Sequence, residues 1–171
     1  GYMNYRHADD SLRFGTAGAD RLRIDSSGRL LLGTTTEGES GADDLTIETS
    51  SSGGITIRSG TSASGNLYFS DGTSGADEYR GYVQYNHSSN YLALGTDASE
   101  RMRIDSSGNM GLGTNSPTDH NSFTRIFDIN GSGGGAVYCR TNGSSSNVAI
   151  FGQSGSDVYI INKTAGNTRF N

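Results

Sequence analysis

An ungapped internal repeat constrains this chain more than any other feature of its sequence. Residues 1–34 align with residues 81–114 at a constant offset of 80, and half of the aligned positions are identical. The identical positions include the string RIDSSG and, after a four-residue gap, GT. Self-similarity of this kind indicates one structural unit used twice, so we expect the chain to build something extended rather than one asymmetric pocket.

Composition indicates that the repeated unit does not close a core of its own. The hydrophobic fraction is 32%, and the chain has 26 glycines, one proline and no tryptophan. Folding must offset roughly 1–2 kcal/mol of backbone entropy for each ordered residue. Nine tyrosines, six phenylalanines and a net charge of only −5 argue against disorder. We therefore expect the chain to bury its apolar surface against copies of itself.

Charge and hydropathy exclude two classes of partner. The chain is mildly acidic and its arginines are scattered singly, so nucleic acid is not an expected partner. No apolar stretch approaches the roughly 20 residues of a membrane span, so no membrane partner is expected. Cys139 is the only cysteine, which excludes an intrachain disulfide, and it is expected to be a small buried residue of a strand.

Alternation of apolar and polar residues predicts a first β-hairpin in each copy. Residues 7–10 and 87–90 are rich in turn-forming side chains and separate two alternating runs. The apolar positions keep the same phase in both copies although the side chains change. These positions are Met3, Tyr5, Leu12 and Phe14 in the first copy, and Val83, Tyr85, Leu92 and Leu94 in the second.

A second hairpin is predicted at residues 21–33 and again at residues 101–113. The Asp-Ser-Ser-Gly string is typical of a type I turn closed by a left-handed glycine, here Gly28 and Gly108. Leu22, Ile24, Leu30 and Leu32 are expected on one face; Arg21, Arg23 and Asp25 are expected on the other. The arginines are candidates for ion pairs with a neighbouring chain.

The segments that follow the two copies, residues 45–58 and 127–140, are predicted to have the same order of elements. Each is expected to form a strand, then a Gly/Ser turn, then a second strand. SGADEY at 74–79 corresponds to SGSDVY at 154–159, and residues 119–126 are predicted to form one helical turn. The expected organisation is therefore a repeat unit at 1–80, a second at 81–160, and the start of a further unit at 161–171. We expect the chain to be a segment of a longer protein.

Two strings resemble repeats of bacteriophage tail fibre shafts. They are YRGYVQYNHSSNYLALGT at 79–96 and ERMRIDSSGNMGLGTNSP at 100–117, and ADRLRIDSSGRLLLGT at 19–34 is a diverged second instance. The similarity is to the shafts that precede a self-cleaving intramolecular chaperone domain in fibres of marine and cyanobacterial phages. The similarity covers the two copies of the repeat at 1–34 and 81–114, which we call the hairpin blocks. The segments between them share only the general pattern of short strands and Gly/Ser turns.

The resemblance implies an all-β, fibrous homotrimer in which three chains pool their apolar faces along one axis, as a triple β-helix or a bladed β-prism. It implies a structural role in the virion tail fibre, holding a receptor-binding tip away from the particle for host attachment. The implied partners are two further copies of this chain, other tail fibre or baseplate proteins, and host surface glycans. The chaperone's catalytic residues match no position here.

No arrangement of residues in the sequence predicts catalysis, and we expect no enzyme activity, cofactor or metal. The adjacent pairs Asp9-Asp10 and Asp43-Asp44 suit turns, because neighbours on a strand point to opposite faces. His7 and His87 are equivalent in the repeat but lack a second ligand at metal-binding spacing, and His120 is isolated. Residues 131–135, GSGGG, lack the Lys-Ser/Thr of a phosphate loop.

Two other functions remain open from the sequence. Tyr82 and Tyr91 lie opposite the apolar phase of their hairpin, where aromatic rings can stack on sugars, so the chain is alternatively a glycan-binding module of the fibre. A bacterial extracellular adhesin or filament stalk of similar architecture is the other alternative.

Overall fold

The computed structural model describes residues 1–118, 125–132, 134–140, 148–154 and 157–162, and these residues are all-β. The strands are β1 Tyr2–Arg6, β2 Ser11–Thr16, β3 Ala19–Ile24, β4 Leu30–Leu32, β5 Leu45–Ile47, β6 Ser64–Phe69, β7 Gly81–Asn86, β8 Tyr91–Thr96, β9 Ser99–Ile104, β10 Met110–Leu112, β11 Phe127–Ile129, β12 Gly135–Arg140, β13 Val148–Ser154 and β14 Asp157–Asn162. One 3₁₀ helix spans Gly75–Tyr79. None of the helical segments in the described ranges has the length and apolar character needed to cross a membrane.

The chain forms two compact units, Gly1–Thr56 and Ile57–Asn171. The first contains a five-stranded sheet in the order β1-β2-β3-β4-β5. The second contains a six-stranded sheet in the order β11-β10-β9-β8-β7-β6, and a three-stranded sheet, β12-β13-β14. The predicted all-β class is confirmed. The division falls before β6 because β6 pairs with β7, and the repeat boundaries at 80 and 160 stay predictions.

Strands β7–β10 lie 80 residues after β1–β4, and β11 lies 82 residues after β5. Their registers also correspond, since Met3 faces Phe14 in the first sheet and Val83 faces Leu94 in the second. Both sheets carry a β-bulge at the same place, between Phe14 and Gly15 and between Leu94 and Gly95. The two hairpins predicted in each copy are confirmed.

The Asp-Ser-Ser-Gly turn has the predicted geometry. The amide of Gly28 donates to the carbonyl of Asp25 at 2.9 Å, and the amide of Asp25 donates to the carbonyl of Arg29 at 3.1 Å. Gly28 has φ +83°, and Gly108 has φ +81° in the second copy. The Asp25 carboxylate also accepts hydrogen bonds from the amides of Ser27 and Arg29 at 2.9 and 3.0 Å, which holds the turn from inside.

A two-residue turn joins β2 to β3, and the sequence reading did not anticipate it. Thr16 faces Ala19 across the turn, and the two residues between them, Ala17 and Gly18, have φ +53° and +77°. Positive φ at both positions is typical of the type I′ turns that join closely paired strands. In the second copy the same two positions are Asp97 and Ala98, both at φ +52°.

The two strands predicted at the ends of 127–140 are confirmed as β11 and β12. Two other predictions for the connecting segments are wrong. Leu45–Ile47 is a strand, but it pairs in parallel with β4, and no strand forms at residues 55–58. The methyl Cγ2 of Ile57 instead lies 3.5 Å from the point where Gly65 would carry a Cβ, so this segment packs against β6 rather than pairing with β5. SGADEY forms the 3₁₀ helix, whereas the Asp-Val-Tyr of its counterpart lies in β14.

Some predictions fall on residues outside the described ranges. The helical turn expected at 119–126 lies outside them for residues 119–124, and so does His120. The further unit expected at 161–171 is described only at Ile161 and Asn162. Cys139 lies in β12, and its side chain is outside the described structure.

Candidate interaction surface

One face of the first sheet is wholly apolar. Residues opposite each other in neighbouring strands point to the same side of a sheet, so the registers define the face directly. We call this set of side chains the apolar face of the first sheet: Met3, Tyr5, Leu12, Phe14, Leu22, Ile24, Leu30, Leu32, Leu45 and Ile47. The predicted grouping of Leu22, Ile24, Leu30 and Leu32 on one face is confirmed.

This apolar face is the uncovered side of the sheet. Met3 is 69% exposed, Leu45 is 50% exposed and Leu32 is 41% exposed. Single exposed apolar residues are normal on protein surfaces, but a contiguous apolar sheet face marks an interaction site or an aggregation hazard. The first sheet therefore offers a surface that a partner can cover.

The second sheet has the same apolar face in the same register. Its members are Leu67, Phe69, Val83, Tyr85, Leu92, Leu94, Met102, Ile104, Met110, Leu112, Phe127 and Ile129. Leu67 and Phe127, at opposite edges of the sheet, are 53% and 54% exposed. The duplication therefore repeats not only the strands but also an uncovered apolar surface.

The opposite face of the first sheet is polar, and its side chains bond to one another. Arg13 donates to Asp20 and to the hydroxyl of Ser11, both at 2.8 Å, and also pairs with Asp9. Arg23 lies 3.5 Å from the same Asp9 carboxylate. The hydrogen bond from Ser11, aided by the charge of Arg13 and against partial burial, lowers the pKa of Asp9. Ser11 is fully buried beneath this network.

The second sheet covers its polar face with aromatic rings. The Tyr82 ring lies over Gly95, where an added Cβ would come within 2.0 Å of ring carbon Cε1. The guanidinium of Arg103 lies 3.6 Å from the centre of the Tyr91 ring and forms a two-point hydrogen bond with Glu100 at 2.7 and 2.8 Å. Both tyrosines singled out as sugar platforms are thus engaged within the chain.

The arginines of the second hairpin find their partners within the chain. Arg23 pairs with Asp9, as above, and Arg21 donates to the hydroxyl of Thr16 at 3.2 Å. The corresponding Arg101 donates to Thr96 at 3.1 Å. These contacts lie within one chain, and the expected ion pairs with a neighbouring chain stay a prediction.

The buried positions of the two sheets lie on or beside the polar face. Leu31 is 1% exposed in the first sheet, and Ala93 is 1% exposed in the second. Asp25 is buried beside Leu31's strand, and burial alone would raise its pKa. Hydrogen bonds from the amides of Arg29 and Ser27, and the Arg29 guanidinium, outweigh burial and lower the pKa of Asp25. The carboxylate therefore stays charged in the folded turn.

The residues considered for chemistry have structural contacts instead. The rings of His7 and His87 lie edge-on to Tyr5 and Tyr85, with centroids 4.9 and 5.0 Å apart. Asp10 accepts a hydrogen bond from the Tyr5 hydroxyl at 2.8 Å. Within the described part of the chain, no three His, Cys, Asp or Glu side chains converge as a metal site.

Asp43 belongs to a separate cluster around Arg29. It accepts a hydrogen bond from the Arg29 guanidinium at 2.8 Å, and Glu37 lies 3.6 Å from the same nitrogen. This contact ties the loop before β5 to the turn before β4. Asp43 and Asp44 both lie in the loop before β5, where Asp43 holds the loop to Arg29.

An open polar depression of about 520 Å³ lies at the β9–β10 end of the second sheet. Hydroxyl, amide and carboxylate side chains line it, from Ser99, Glu100, Thr114, Asn115 and Asn130. Glu100 is already paired with Arg103, so the lining presents mainly neutral hydrogen-bonding groups. This lining has no arrangement typical of a nucleophile with its base.

Comparison of the sequence with protein-family models and with curated proteins found no match.

Proposed function

We propose that this chain is a shaft segment of a phage tail fibre, in which three copies pack their apolar faces around a common axis. The observation that carries the proposal is the uncovered apolar face present in the same register on both sheets. A shaft of this kind is a mechanical element, and it holds a receptor-binding tip away from the virion.

Energetics support burial of this face by other copies. Full burial of a large aliphatic or aromatic side chain contributes about 1.5–3 kcal/mol, so covering a half-exposed one contributes about 1 kcal/mol. Exposed side chains of the face include Met3, Phe14, Ile24, Leu32 and Leu45 in the first sheet alone. Three copies related by one axis bury such a face without leaving a free apolar surface.

The polar face supports the same arrangement from the other side. Many of its charged and aromatic side chains make contacts within the chain, such as Arg103 with Glu100 and Tyr91, although the buried Nε of Arg23 has no hydrogen-bond partner. A surface whose charges are mostly paired within the chain suits the solvent side of a shaft. The two faces of each sheet therefore differ in the way that a fibre with a shared apolar axis requires.

The test is the mass of the native particle, measured by light scattering. One chain is 18.0 kDa, so a trimer gives about 54 kDa (3 × 18.0). Met3→Asp and Asn4→Asp form a matched pair, because the two residues are exposed neighbours on opposite faces of β1. We expect Met3→Asp to lower the trimer fraction, because three carboxylates would meet at the apolar axis, and Asn4→Asp to leave it unchanged.

A stable 18.0 kDa monomer with intact sheets would overturn the proposal. So would equal effects of the two substitutions, since that would mean the apolar face is not the contact surface. Electron microscopy of the same sample adds an independent readout, because a shaft gives rods and a glycan-binding globule gives compact particles.

A further inference from the structure

The two sheets differ at one edge. In the second sheet, β6 pairs antiparallel with the outer edge of β7 along its whole length, from Ser64 opposite Asn86 to Phe69 opposite Gly81. In the first sheet, β1 occupies the place of β7, and among the described residues it pairs with β2 alone. We propose that the outer edge of β1 is a docking site for an antiparallel strand with the chemistry of β6.

The backbone groups of this edge are set by the alternation of an antiparallel ladder. The amide of His87 donates to the carbonyl of Ala63 at 3.0 Å, so this opposite pair is a hydrogen-bonded one. Every second residue of β7 then directs its amide to β6, which selects Tyr85 and Val83. The equivalent amides of the first sheet belong to His7, Tyr5 and Met3. A row of unpaired amides and carbonyls of this kind is a template for another strand.

The apolar side chains of β1 match those that receive β6. In the second sheet, Leu67 lies opposite Val83, and Gly65 lies opposite the large Tyr85. In the first sheet the equivalent positions are Met3 and Tyr5. An incoming strand therefore needs an aliphatic residue opposite Met3 and a small residue opposite Tyr5, as β6 provides.

The polar side chains match as well. Gln84 donates its side-chain amide to Asn66 at 2.9 Å, and Tyr68 lies opposite Tyr82. The first sheet has Asn4 in place of Gln84 and Tyr2 in place of Tyr82, so the equivalent positions again carry an amide and an aromatic side chain. The partner is therefore a strand of the pattern small-amide-aliphatic-aromatic, read from Gly65 to Tyr68.

The connection between β6 and β7 can be copied onto β1. The guanidinium of Arg80 pairs with Asp77 at 2.7 Å and with Asp97 at 2.6 Å. The backbone carbonyl of Arg80 accepts a hydrogen bond from the amide of Ala98 at 3.0 Å. Arg80 precedes Gly81, and Gly1 stands at the equivalent place of the first sheet. A copy of residues 57–80 joined to Gly1 therefore reproduces the natural junction, apart from Ala17, which replaces Asp97.

This docking is independent of the trimer contact. An added strand lies in the plane of the sheet and extends it, whereas the trimer contact covers the apolar face. The second hairpin block receives its edge strand in this way from β6. The inference therefore holds or fails separately from the proposed function.

The experiment grafts residues 57–80 ahead of Gly1 in the full chain and follows amide hydrogen exchange by NMR. The outward amides of Met3, Tyr5 and His7 should exchange about tenfold more slowly, or slower still, than in the ungrafted chain. The amides of Asn4 and Arg6 face β2 and should change little, which makes them internal controls. A graft whose copy of Leu67 is replaced by Pro loses a pairing amide and should give no such protection.

Unchanged exchange at the three outward amides would overturn the proposal, and so would equal protection by the Pro-containing graft. Met3→Pro supplies a second variant, because it removes an outward amide and leaves the β2 side of the ladder in place. It should keep Asn4 protected while abolishing the gain from the graft. Light scattering on the same samples separates the two proposals, because loss of the trimer with retained edge protection refutes only the shaft contact.

Discussion

The turn between β2 and β3 offers a stability test in which the chain supplies its own control. Gly18 and Ala98 occupy the same position of the two copies, and both have positive φ, +77° and +52°. A Cβ added at Gly18 would meet no atom within 4 Å, so steric clash does not contribute to the cost of a substitution there. Gly18→Ala and Ala98→Gly therefore isolate backbone conformation, with opposite signs.

The magnitude follows from the left-handed region itself. An L-residue in that region costs about 1–2 kcal/mol, because its Cβ approaches the following carbonyl oxygen. Alanine recovers roughly 0.4–1 kcal/mol of this, since it restricts the unfolded chain more than glycine does. The net expectation is a destabilisation of about 1 kcal/mol for Gly18→Ala and a stabilisation of similar size for Ala98→Gly.

Amide hydrogen exchange at the ends of the two turns is the assay. Ala19 and Ser99 follow the turn positions, and Ala19 faces Thr16 across the first turn. A change of 1 kcal/mol corresponds to about a fivefold change in local opening. Gly18→Ala should speed exchange at Ala19, and Ala98→Gly should slow it at Ser99.

Gly60→Ala is the matched control, because Gly60 also has open space around its Cβ position but no left-handed φ. Gly60→Ala should change amide hydrogen exchange at Ala19 and Ser99 very little. The reasoning would be refuted if both turn substitutions shifted exchange in the same direction, or if Gly60→Ala cost as much as Gly18→Ala.

Three further predictions concern the polar groups of the two sheets. Because the pKa of Asp25 is lowered in the folded state, the ionised carboxylate stabilises the fold at pH values above its unfolded pKa of about 3.9, and this stabilisation is lost as the pH falls through the folded pKa. Thermal melts at a series of pH values should show the melting temperature falling over this range, and the fall should be smaller in Asp25→Asn. Gly95→Ala should cost about 1–3 kcal/mol by expelling the Tyr82 ring, and denaturant melts should show a smaller cost when Tyr82→Ala is already present. Arg103→Lys should destabilise the second sheet by about 1 kcal/mol, since lysine cannot keep both the planar contact with Tyr91 and the two-point carboxylate bond, and a Tyr91→Ala background should reduce that loss.

Much of each sheet could be predicted from local sequence. Alternation placed Met3, Tyr5, Leu12 and Phe14 on one face, and the registers agree. The Asp-Ser-Ser-Gly string predicted a turn that depends only on neighbours, since Gly28 needs its positive φ and Asp25 bonds within four residues. Such features have short-range causes, so they leave a short-range signal.

The turn between β2 and β3 shows how a local signal can be lost. Ala17-Gly18 contains a glycine that indicates positive φ, but the second copy has Asp97-Ala98, where no glycine marks the same conformation. Strand pairing around the turn holds Ala98 at positive φ, and the Ala98 amide donates to the Arg80 carbonyl at 3.0 Å. Only the first copy has a glycine at this turn, so only there does the sequence mark the conformation.

The sequence by itself determined the strands, their turns and the phase of the apolar face. The tertiary structure decided how distant strands pair: β5 joins β4 in parallel after a long loop, and β6 joins the edge of β7 across the 3₁₀ helix. It also decided which face the chain covers for itself, with Leu31 buried under the polar side. These outcomes depend on contacts between residues far apart in the chain. A local sequence pattern contains no information on the entropy cost of closing the loop between such residues or on how their side chains fit together.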